Sequence, residues 1–249
     1  MSAFQFIHRF GKYCDLIFRA FRKPDNWAVL REMTVREMDA LGVGSIGIVA
    51  IISLFMGAVI SIQMAANIDS PLIPLYTIGY ATRESVILEF SSTVVALILA
   101  GKVGSSIASE IGTMRVTEQI DALEIMGVNS AGFLILPKII ASLIVNPILT
   151  LLSMFLGIWG GYFACTFTGM VEGSTYQLGI LYEFDPGHVR YSLIKAVVFA
   201  FLISTIASFR GYYVEGGSRE VGVASTKAVV NASISILFWN LILTRLLLL

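Results

Sequence analysis

The sequence has few charged residues for its length. Of its 249 residues, 14% are charged and 56% are hydrophobic, whereas a soluble domain typically carries about 25% charged residues. Such a chain cannot cover its own surface with polar groups in water, which excludes an ordinary soluble globular protein. The 17 basic and 17 acidic residues balance, so no large net field indicates a nucleic acid as partner. The composition predicts an all-α integral membrane protein.

Cysteine and histidine are also scarce. Cys14 lies in a basic stretch and Cys165 in an apolar one, so two separate thiols are expected rather than a disulfide or a metal site. His8 and His188 are expected on opposite sides of the membrane, where they cannot share a metal or a nucleophile. Gly101-Lys102 lacks the preceding glycine and the following hydroxyl of a phosphate-binding loop. We therefore expect no cofactor, no metal and no enzymatic activity, and any nucleotide would be hydrolysed by another chain.

Five apolar stretches are long enough to cross a bilayer, which requires about 20 residues. They run from 43 to 64, 86 to 103, 139 to 167, 191 to 209 and 228 to 249. The apolar run of the third stretch is interrupted by Asn146-Pro147, and it is long enough for one tilted or kinked span with an interfacial continuation. Residues 41–249 are therefore expected to form a five-span domain. An odd number of spans places the two termini on opposite sides of the membrane.

Basic residues are concentrated before the first span. They are seven in number: Arg9, Lys12, Arg19, Arg22, Lys23, Arg31 and Arg36. The positive-inside rule then places the N-terminus in the cytoplasm and the C-terminus in the periplasm. The first 23 residues alternate bulky apolar and basic side chains at helical spacing, which predicts an amphipathic helix on the inner leaflet; a disordered basic tail is the alternative. Residues 1–40 are thus expected to form interfacial and elbow helices.

Several polar side chains fall within the apolar stretches. An ionisable group at membrane depth costs about 2.5–3.5 kcal/mol on insertion scales, so it usually faces a cavity or a partner. Glu89 and Lys195 are the strongest cases. Weaker ones are Gln63, Asn146, Asn231 and Asn240. Glu89 is either a boundary residue or a polar point in an apolar cavity that faces a charged or hydrogen-bonding head group. As a proton relay, Glu89 and Lys195 would instead indicate an ion-driven transporter.

The polar segment Gly101–Val128, between the second and third spans, is placed in the cytoplasm by this orientation. From Ile107 to Met126 it has no proline and a single glycine, so we expect one helix there. At 3.6 residues per turn, one face carries Glu110, Thr117, Asp121 and Glu124. Arg115 and Glu118 are expected to be neighbours on another face, with Ile111, Met114, Ala122 and Ile125 between the two. Apolar anchors beside rim charges predict a docking helix for a partner, with a solvated surface helix as the alternative.

Five motifs of the sequence carry a family resemblance. They are AGKVGSSIASEIGTMRVTEQIDALEIMGV in the polar segment, FMGAVISIQ in the first span, GIWGGY in the third, LIKAVVFAF in the fourth and GVASTKAVV before the fifth. With these motifs the chain resembles the MlaE-type permeases, the membrane subunits of ABC transporters that move lipids between the two membranes of diderm bacteria. The resemblance covers most of the chain, and the motif in the polar segment is long and specific.

The resemblance implies partners and a coupling role. In the family the polar segment contains the coupling helix that sits in a groove of the ATPase subunit, here about 107–128. The role falls on Glu110–Met126, with polar positions at Arg115, Glu118, Gln119 and Asp121. The resemblance also implies a homodimer of permeases in the inner membrane, two cytoplasmic ATPase subunits and a periplasmic MCE-domain protein. It leaves room for a small STAS-type regulatory subunit.

The resemblance further implies a phospholipid pocket at the dimer interface. On this chain its residues would be Phe55, Gln63, Leu88, Glu89 and Asn240. Members commonly have Arg-Glu-Leu-Gly-Pro where this chain has Leu-Glu-Phe-Ser-Ser from Leu88, and an acidic residue at the position of Asn240. Arg83 is a candidate replacement for the missing arginine. The segment 215–222 carries a charged Arg219-Glu220 pair where relatives tend to have small residues.

We therefore expect a permease subunit that moves phospholipid, driven by ATP that a separate chain hydrolyses. Two alternatives stay open. An ion-driven secondary transporter would work as an isolated chain under a proton gradient. A non-transporting scaffold for an MCE protein or an ATPase would hold no lipid.

Overall fold

The computed structural model describes residues 3–22, 26–68 and 73–248, and within them the chain is helical without a β-strand. Lys23 of the predicted basic segment and Leu249 of the predicted fifth span lie outside the described residues. The α-helices are α1 (Ala3–Ala20), α2 (Trp27–Met38), α3 (Gly44–Asn67), α4 (Tyr76–Ser85), α5 (Val95–Leu99), α6 (Ser105–Val116), α7 (Gln119–Ile125), α8 (Ser130–Thr168), α9 (Gly173–Leu181), α10 (Pro186–Tyr212) and α11 (Ser218–Leu248). The backbone is π-helical at Asp39–Val43, Val86–Val94 and Ala100–Gly104.

Five helical stretches of the described chain are long and apolar enough to cross a membrane. They are Trp27–Asn67, Tyr76–Val116, Ser130–Thr168, Pro186–Tyr212 and Ser218–Leu247. The predicted all-α, five-span architecture is confirmed. Each helix begins before the predicted apolar stretch, because helical hydrogen bonding continues into polar residues that an apolar window leaves out.

Asn146-Pro147 does not end the third span. The helix α8 runs without a break through all 39 residues from Ser130 to Thr168, as one long span with a continuation requires. Proline is tolerated inside membrane helices because packed neighbours compensate for the backbone groups that it frees. Asn146 and the preceding Val145 are both buried, so this turn lies among such neighbours.

The chain divides into two compact units, of which the first comprises Met1–Val43, Leu99–Val145 and Phe199–Phe238. Its core contains fully buried aliphatic and aromatic side chains from α6, α8 and α10, including Ile111, Ile139 and Phe199. The helix α1 packs on α10 through Tyr13, whose hydroxyl lies 2.8 Å from Thr205 Oγ1. On its other side α1 exposes Ile7, Phe10 and Phe18, and Phe21, just after its end, is exposed as well. The predicted amphipathic helix is therefore present, and its position on a membrane surface stays a prediction.

The second unit comprises Gly44–Ile98, Asn146–Val198 and Trp239–Leu249. Here α3 and α8 approach so closely that a Cβ at Gly57 would overlap the carbonyl oxygen of Gly157. One turn further along α8, a Cβ at Gly161 would overlap the hydroxyl groups of Ser61 and Tyr176. The GIWGGY motif of α8 is therefore a packing surface for α3, as small residues commonly are between membrane helices.

Arg83 is fully occupied within the second unit. Its side chain is 1% exposed, and Nη1 donates to the carbonyl oxygens of Ile180 at 2.7 Å and Tyr182 at 2.8 Å. Nη2 lies 2.6 Å from the carboxylate of Glu84. These bonds fix the turn after α9 onto α4, so the guanidinium is engaged in structure rather than in replacing the arginine that Leu88 lacks.

Candidate functional site

The segment predicted as one coupling helix is a helical corner, and we call residues 105–128 the α6–α7 corner. The helix α6 ends at Val116, and α7 begins at Gln119. Between them Glu118 has a φ of 60°, in the left-handed region. The prediction of a continuous helix is therefore wrong. The turn follows the β-branched pair Val116-Thr117, whose helix propensity is low, and Thr117 Oγ1 donates back to Thr113 O at 2.8 Å.

An ion pair closes this corner. Arg115 Nη1 lies 2.6 Å from Asp121 Oδ1, so Arg115 at the end of α6 binds α7 across the turn. Its predicted neighbour, Glu118, is exposed at the turn, where its backbone N–H donates to the carbonyl oxygen of Arg115 at 3.2 Å. Gln119 Nε2 also donates to Thr117 Oγ1 at 3.0 Å. The polar residues of the motif thus shape the corner.

The predicted apolar stripe is divided between the interior and the surface, since Ile111 is fully buried and Ile125 is 87% exposed. Outside the predicted stripe, Ile120 is also fully buried and Met126 is 68% exposed. Thr117, Glu118 and Gln119 are exposed at the turn itself. The corner therefore presents two apolar side chains beside a polar rim, which is the combination that helix-in-groove docking uses.

Two other predicted coupling residues have partners inside the first unit. Glu110 Oε2 lies 2.7 Å from Lys138 Nζ, which also lies 2.6 Å from Glu37 Oε1. Lys138 is 3% exposed, so this cation joins α2, α6 and α8. Sequence spacing did not reveal the group, because its three residues lie on three different helices.

Glu124 joins α7 to three neighbouring elements. Its Oε1 accepts from Ser130 Oγ at 2.9 Å and from the hydroxyl of Tyr212 at 2.9 Å. Arg19 Nη2 of α1 lies 3.3 Å from the same oxygen. The hydrogen bonds from Ser130 and Tyr212, followed by the charge of Arg19, lower the pKa of Glu124 below its ordinary value. Glu124 therefore anchors the corner to α1, α8 and α10.

A second candidate site, the Glu89 cluster, consists of Glu89, Thr93, Lys195 and Asn240 in the second unit. Lys195 Nζ lies 2.8 Å from Glu89 Oε2 and donates to the carbonyl oxygen of Leu88 at 3.2 Å. The other carboxylate oxygen of Glu89 accepts from Thr93 Oγ1 at 2.8 Å and from the amide of Asn240. The cluster therefore joins residues of the second, fourth and fifth spans.

Exposure differs between the two charges of this cluster. Lys195 is completely buried, whereas 43% of the Glu89 side chain is exposed. Glu89 lies in the π-helical stretch Val86–Val94, a backbone form that occurs frequently at functional sites. Sequence analysis identified Glu89, Lys195 and Asn240 one by one and missed Thr93, although its position one helical turn after Glu89 was a usable signal.

The side chains of the remaining predicted site residues take no part in the cluster's bonds. Phe55 is 64% exposed and Gln63 is also exposed, both on α3. Leu88 is half-buried and contributes its backbone carbonyl to Lys195. Asn146 is buried in α8, where its carbonyl oxygen accepts from Thr150 Oγ1 at 2.9 Å.

Comparison with known proteins gives consistent matches over both sites. A family model described as Permease MlaE matches residues 34–246. A probable ABC transporter permease protein of Rickettsia bellii is 38% identical over 214 residues, which are 86% of this chain and 82% of the relative. The intermembrane phospholipid transport system permease protein MlaE of Haemophilus influenzae is 34% identical over 219 residues, again 86% of this chain and 82% of the relative. The chloroplastic protein TRIGALACTOSYLDIACYLGLYCEROL 1 of Arabidopsis thaliana is 28% identical over 92% of this chain and 64% of its own length.

Proposed function

The chain belongs to the MlaE permease family, and on that premise we propose that it is the membrane subunit of an ABC transporter that moves phospholipid. In this proposal the protein lies in the inner membrane of a diderm bacterium and carries lipid between the inner and outer membranes. A separate cytoplasmic ATPase supplies the energy. The name of the Haemophilus relative supports phospholipid as the transported lipid.

The α6–α7 corner is the observation that carries the proposal. A rigid turn closed by Arg115 and Asp121 exposes Ile125 and Met126 next to polar side chains. Such a surface fits an apolar groove with a charged rim on the ATPase. With the N-terminus in the cytoplasm, as its basic residues favour, two spans bring the chain back to the cytoplasm at this corner.

Anchoring inside the first unit supports a mechanical role for the corner. Lys138 holds α6 through Glu110, and Glu124 holds α7. Closure of the ATPase would therefore displace the corner together with the helices bonded to it, rather than bending a free loop. In the proposed mechanism two permease copies then change their packing, and the lipid pocket collapses to expel the acyl chains.

The Glu89 cluster is the proposed polar point of that pocket. Its half-exposed carboxylate lies beside a buried ammonium, so it offers a fixed hydrogen-bonding surface for a lipid head group. Apolar side chains such as Phe55 would contact the acyl chains, since each buried CH₂ contributes about 0.8 kcal/mol without any polar contact. The periplasmic partner in this proposal is an MCE-domain protein, with a STAS-type subunit as a further partner.

A reconstituted transporter tests the docking assignment. Asp121→Asn, and separately Ile125→Ser with Met126→Ser, should lower copurification of the ATPase and lipid-stimulated ATP hydrolysis. Glu172→Gln, at an exposed position outside both candidate sites, is the matched control and should leave both measurements unchanged. Normal ATPase binding and hydrolysis by the corner variants would show that the partner docks elsewhere.

The Glu89–Lys195 ion pair also supports a second candidate function. Two ionisable groups in contact within candidate spans are a starting point for proton coupling. Purified permease alone, in lipid vesicles under a proton gradient, tests this alternative. Lipid movement without the ATPase would support ion-driven transport, and movement that requires ATPase and ATP would support the ABC mechanism.

A further inference from the structure

A cavity lies between the end of α10 and the first turns of α11 in the first unit. Its lining includes Arg210, Tyr213, Glu215, Arg219, Val223 and Lys227, and we call it the α10–α11 cavity. It lies outside the set of residues assigned to the α6–α7 corner and the Glu89 cluster. It includes the Arg219-Glu220 pair that the family resemblance left without an explanation.

Three cations line this cavity. Arg210, Arg219 and Lys227 come from two helices, and none of the three forms an ion pair with another residue of the described chain. Arg9 of α1 adds electrostatic repulsion to Arg210. The carboxylates of Glu215 and Glu220 also line the cavity, so its three cations exceed its anions by one. Cationic donor groups that converge on one concave surface can bind an anion such as phosphate.

The neighbouring carboxylate of Glu220 has a structural task. Its Oε2 accepts from the backbone N–H of Gly217 at 3.1 Å, so Glu220 caps the start of α11 from the third position of the helix. Gly216 precedes the cap with a φ of 114°, which glycine adopts without strain. The cap fixes the first turn of α11, and with it the position of Arg219 on the cavity wall.

Contacts with α1 indicate the depth of the cavity. Lys12 Nζ of α1 lies 5.7 Å from the ring centroid of Tyr213, a wall residue. Tyr13 packs edge-on against Phe209, with ring centroids 5.6 Å apart. An amphipathic helix with exposed Phe10 and Phe18 belongs at the boundary between head groups and acyl chains. With α1 at that boundary, as the proposed function has it, the cavity beside this helix would be at head-group level.

The cavity wall is apolar as well as cationic. Val223 is 47% exposed and Tyr213 is 38% exposed, and both lie beside the three cations. A free anion needs only the charges, whereas a phospholipid also presents a glycerol and acyl region that such a wall would cover. An acidic protein surface would leave the apolar wall unmatched.

We propose that the α10–α11 cavity binds the phosphate group of a phospholipid in the inner leaflet, at a site separate from the transported lipid. The depth and leaflet rest on the orientation in the proposed function. A lipid in the cavity would act directly on the α6–α7 corner, because α6 packs against the connection between α10 and α11 and against the first turn of α11. A Cβ at Gly112 of α6 would lie 3.2 Å from Val221 and 3.5 Å from Val214.

Photolabelling of the purified full-length permease in neutral detergent tests the site. The probes are photoreactive phosphatidylglycerol and the matching photoreactive diacylglycerol, which lacks phosphate, and labelled peptides are mapped by mass spectrometry. We expect phosphate-dependent labelling of the segment 210–227. The double variant Arg219→Gln with Lys227→Gln should raise the half-saturating concentration of the phosphate-containing probe at least about tenfold, because charge-assisted hydrogen bonds to the phosphate are lost.

Controls separate this site from the transport pocket. The double variant Lys102→Gln with Arg245→Gln removes two exposed cations outside the cavity and should label like the unaltered chain. Labelling near residue 89 reports on the transport pocket. A Lys195→Met variant should reduce that labelling and leave the labelling of the α10–α11 cavity unchanged. Equal labelling by the two probes, or unchanged labelling in the cavity variant, would overturn the proposal.

Two further results would also overturn it. If millimolar inorganic phosphate displaced the lipid probe completely, the site would be one for a free anion. If the cavity variant lost the ATPase while its lipid labelling stayed unchanged, the surface would be a protein docking site.

Discussion

The ammonium group of Lys138 lies 2.7 Å from the carboxylate of Glu110 in the first unit. Glu37 provides a second carboxylate at 2.6 Å from the same ammonium. Because Lys138 is 3% exposed, α2, α6 and α8 meet at one buried cation. Glu110, which sequence spacing assigns to the surface that contacts the ATPase, thus binds Lys138 within the same unit, and this bond determines where α6 lies.

Replacing Lys138 should therefore destabilise the first unit. Lys138→Met leaves two carboxylates without their cation, which costs about 3–5 kcal/mol for a fully buried pair and less here, because Glu110 is half-exposed. Thermal unfolding in detergent measures the effect, with Lys102→Met at an exposed position as the control. Equal melting temperatures for the two variants would contradict a stabilising role for the group.

The five spans could be predicted from the sequence because length and hydropathy suffice for them. Helix ends could not, since Tyr76–Val116 includes Arg83 and Glu84. The buried guanidinium of Arg83 has acceptors for all its donors only once the turn after α9 packs against α4. The break at Glu118 was equally hidden, because no glycine or proline marks it. Within the Glu89 cluster, Glu89 is bonded to residues that are 106 and 151 positions away in the sequence, and local sequence patterns do not predict contacts over such separations.

The two charges of the Glu89 cluster should respond unequally to mutation. Glu89→Gln leaves a completely buried ammonium without an anion, whereas Lys195→Met leaves a partly exposed carboxylate that still accepts from Thr93 and Asn240. We therefore expect Glu89→Gln to lower the stability more, and the double variant to recover part of the loss. A double-mutant cycle of unfolding free energies should give a coupling of about 0.5–3 kcal/mol, the range for residues in contact. Strict additivity would show that the pair does not interact in the membrane-embedded protein.

Glu124 should make the stability of the first unit depend on acidic pH. Its folded pKa lies below the ordinary value of 4.5, so its stabilisation is fully present above pH 4.5 and is lost as the pH falls through the folded pKa. Because 43% of the side chain is exposed, the effect should be about 1 kcal/mol or less. Unfolding of the unaltered chain and of Glu124→Gln should differ most near neutral pH and converge as the pH falls through the folded pKa of Glu124. A difference that stays constant over this range, or one that Glu172→Gln reproduces, would contradict the assignment.

The contact between α3 and α8 provides a test within a single helix. Gly57 and Gly47 both lie in α3, yet a Cβ at Gly57 would overlap the backbone of Gly157, whereas a Cβ at Gly47 would meet nothing within 4 Å. Gly57→Ala should therefore force the helices apart and lower the unfolding free energy by about 1–3 kcal/mol, as overpacking does elsewhere. Gly47→Ala should be neutral or slightly stabilising, because alanine favours the helix over glycine by about 1 kcal/mol. Thermal unfolding of both variants in the same detergent measures the contrast, and equal effects at the two positions would mean that α3 does not pack against α8 through Gly57.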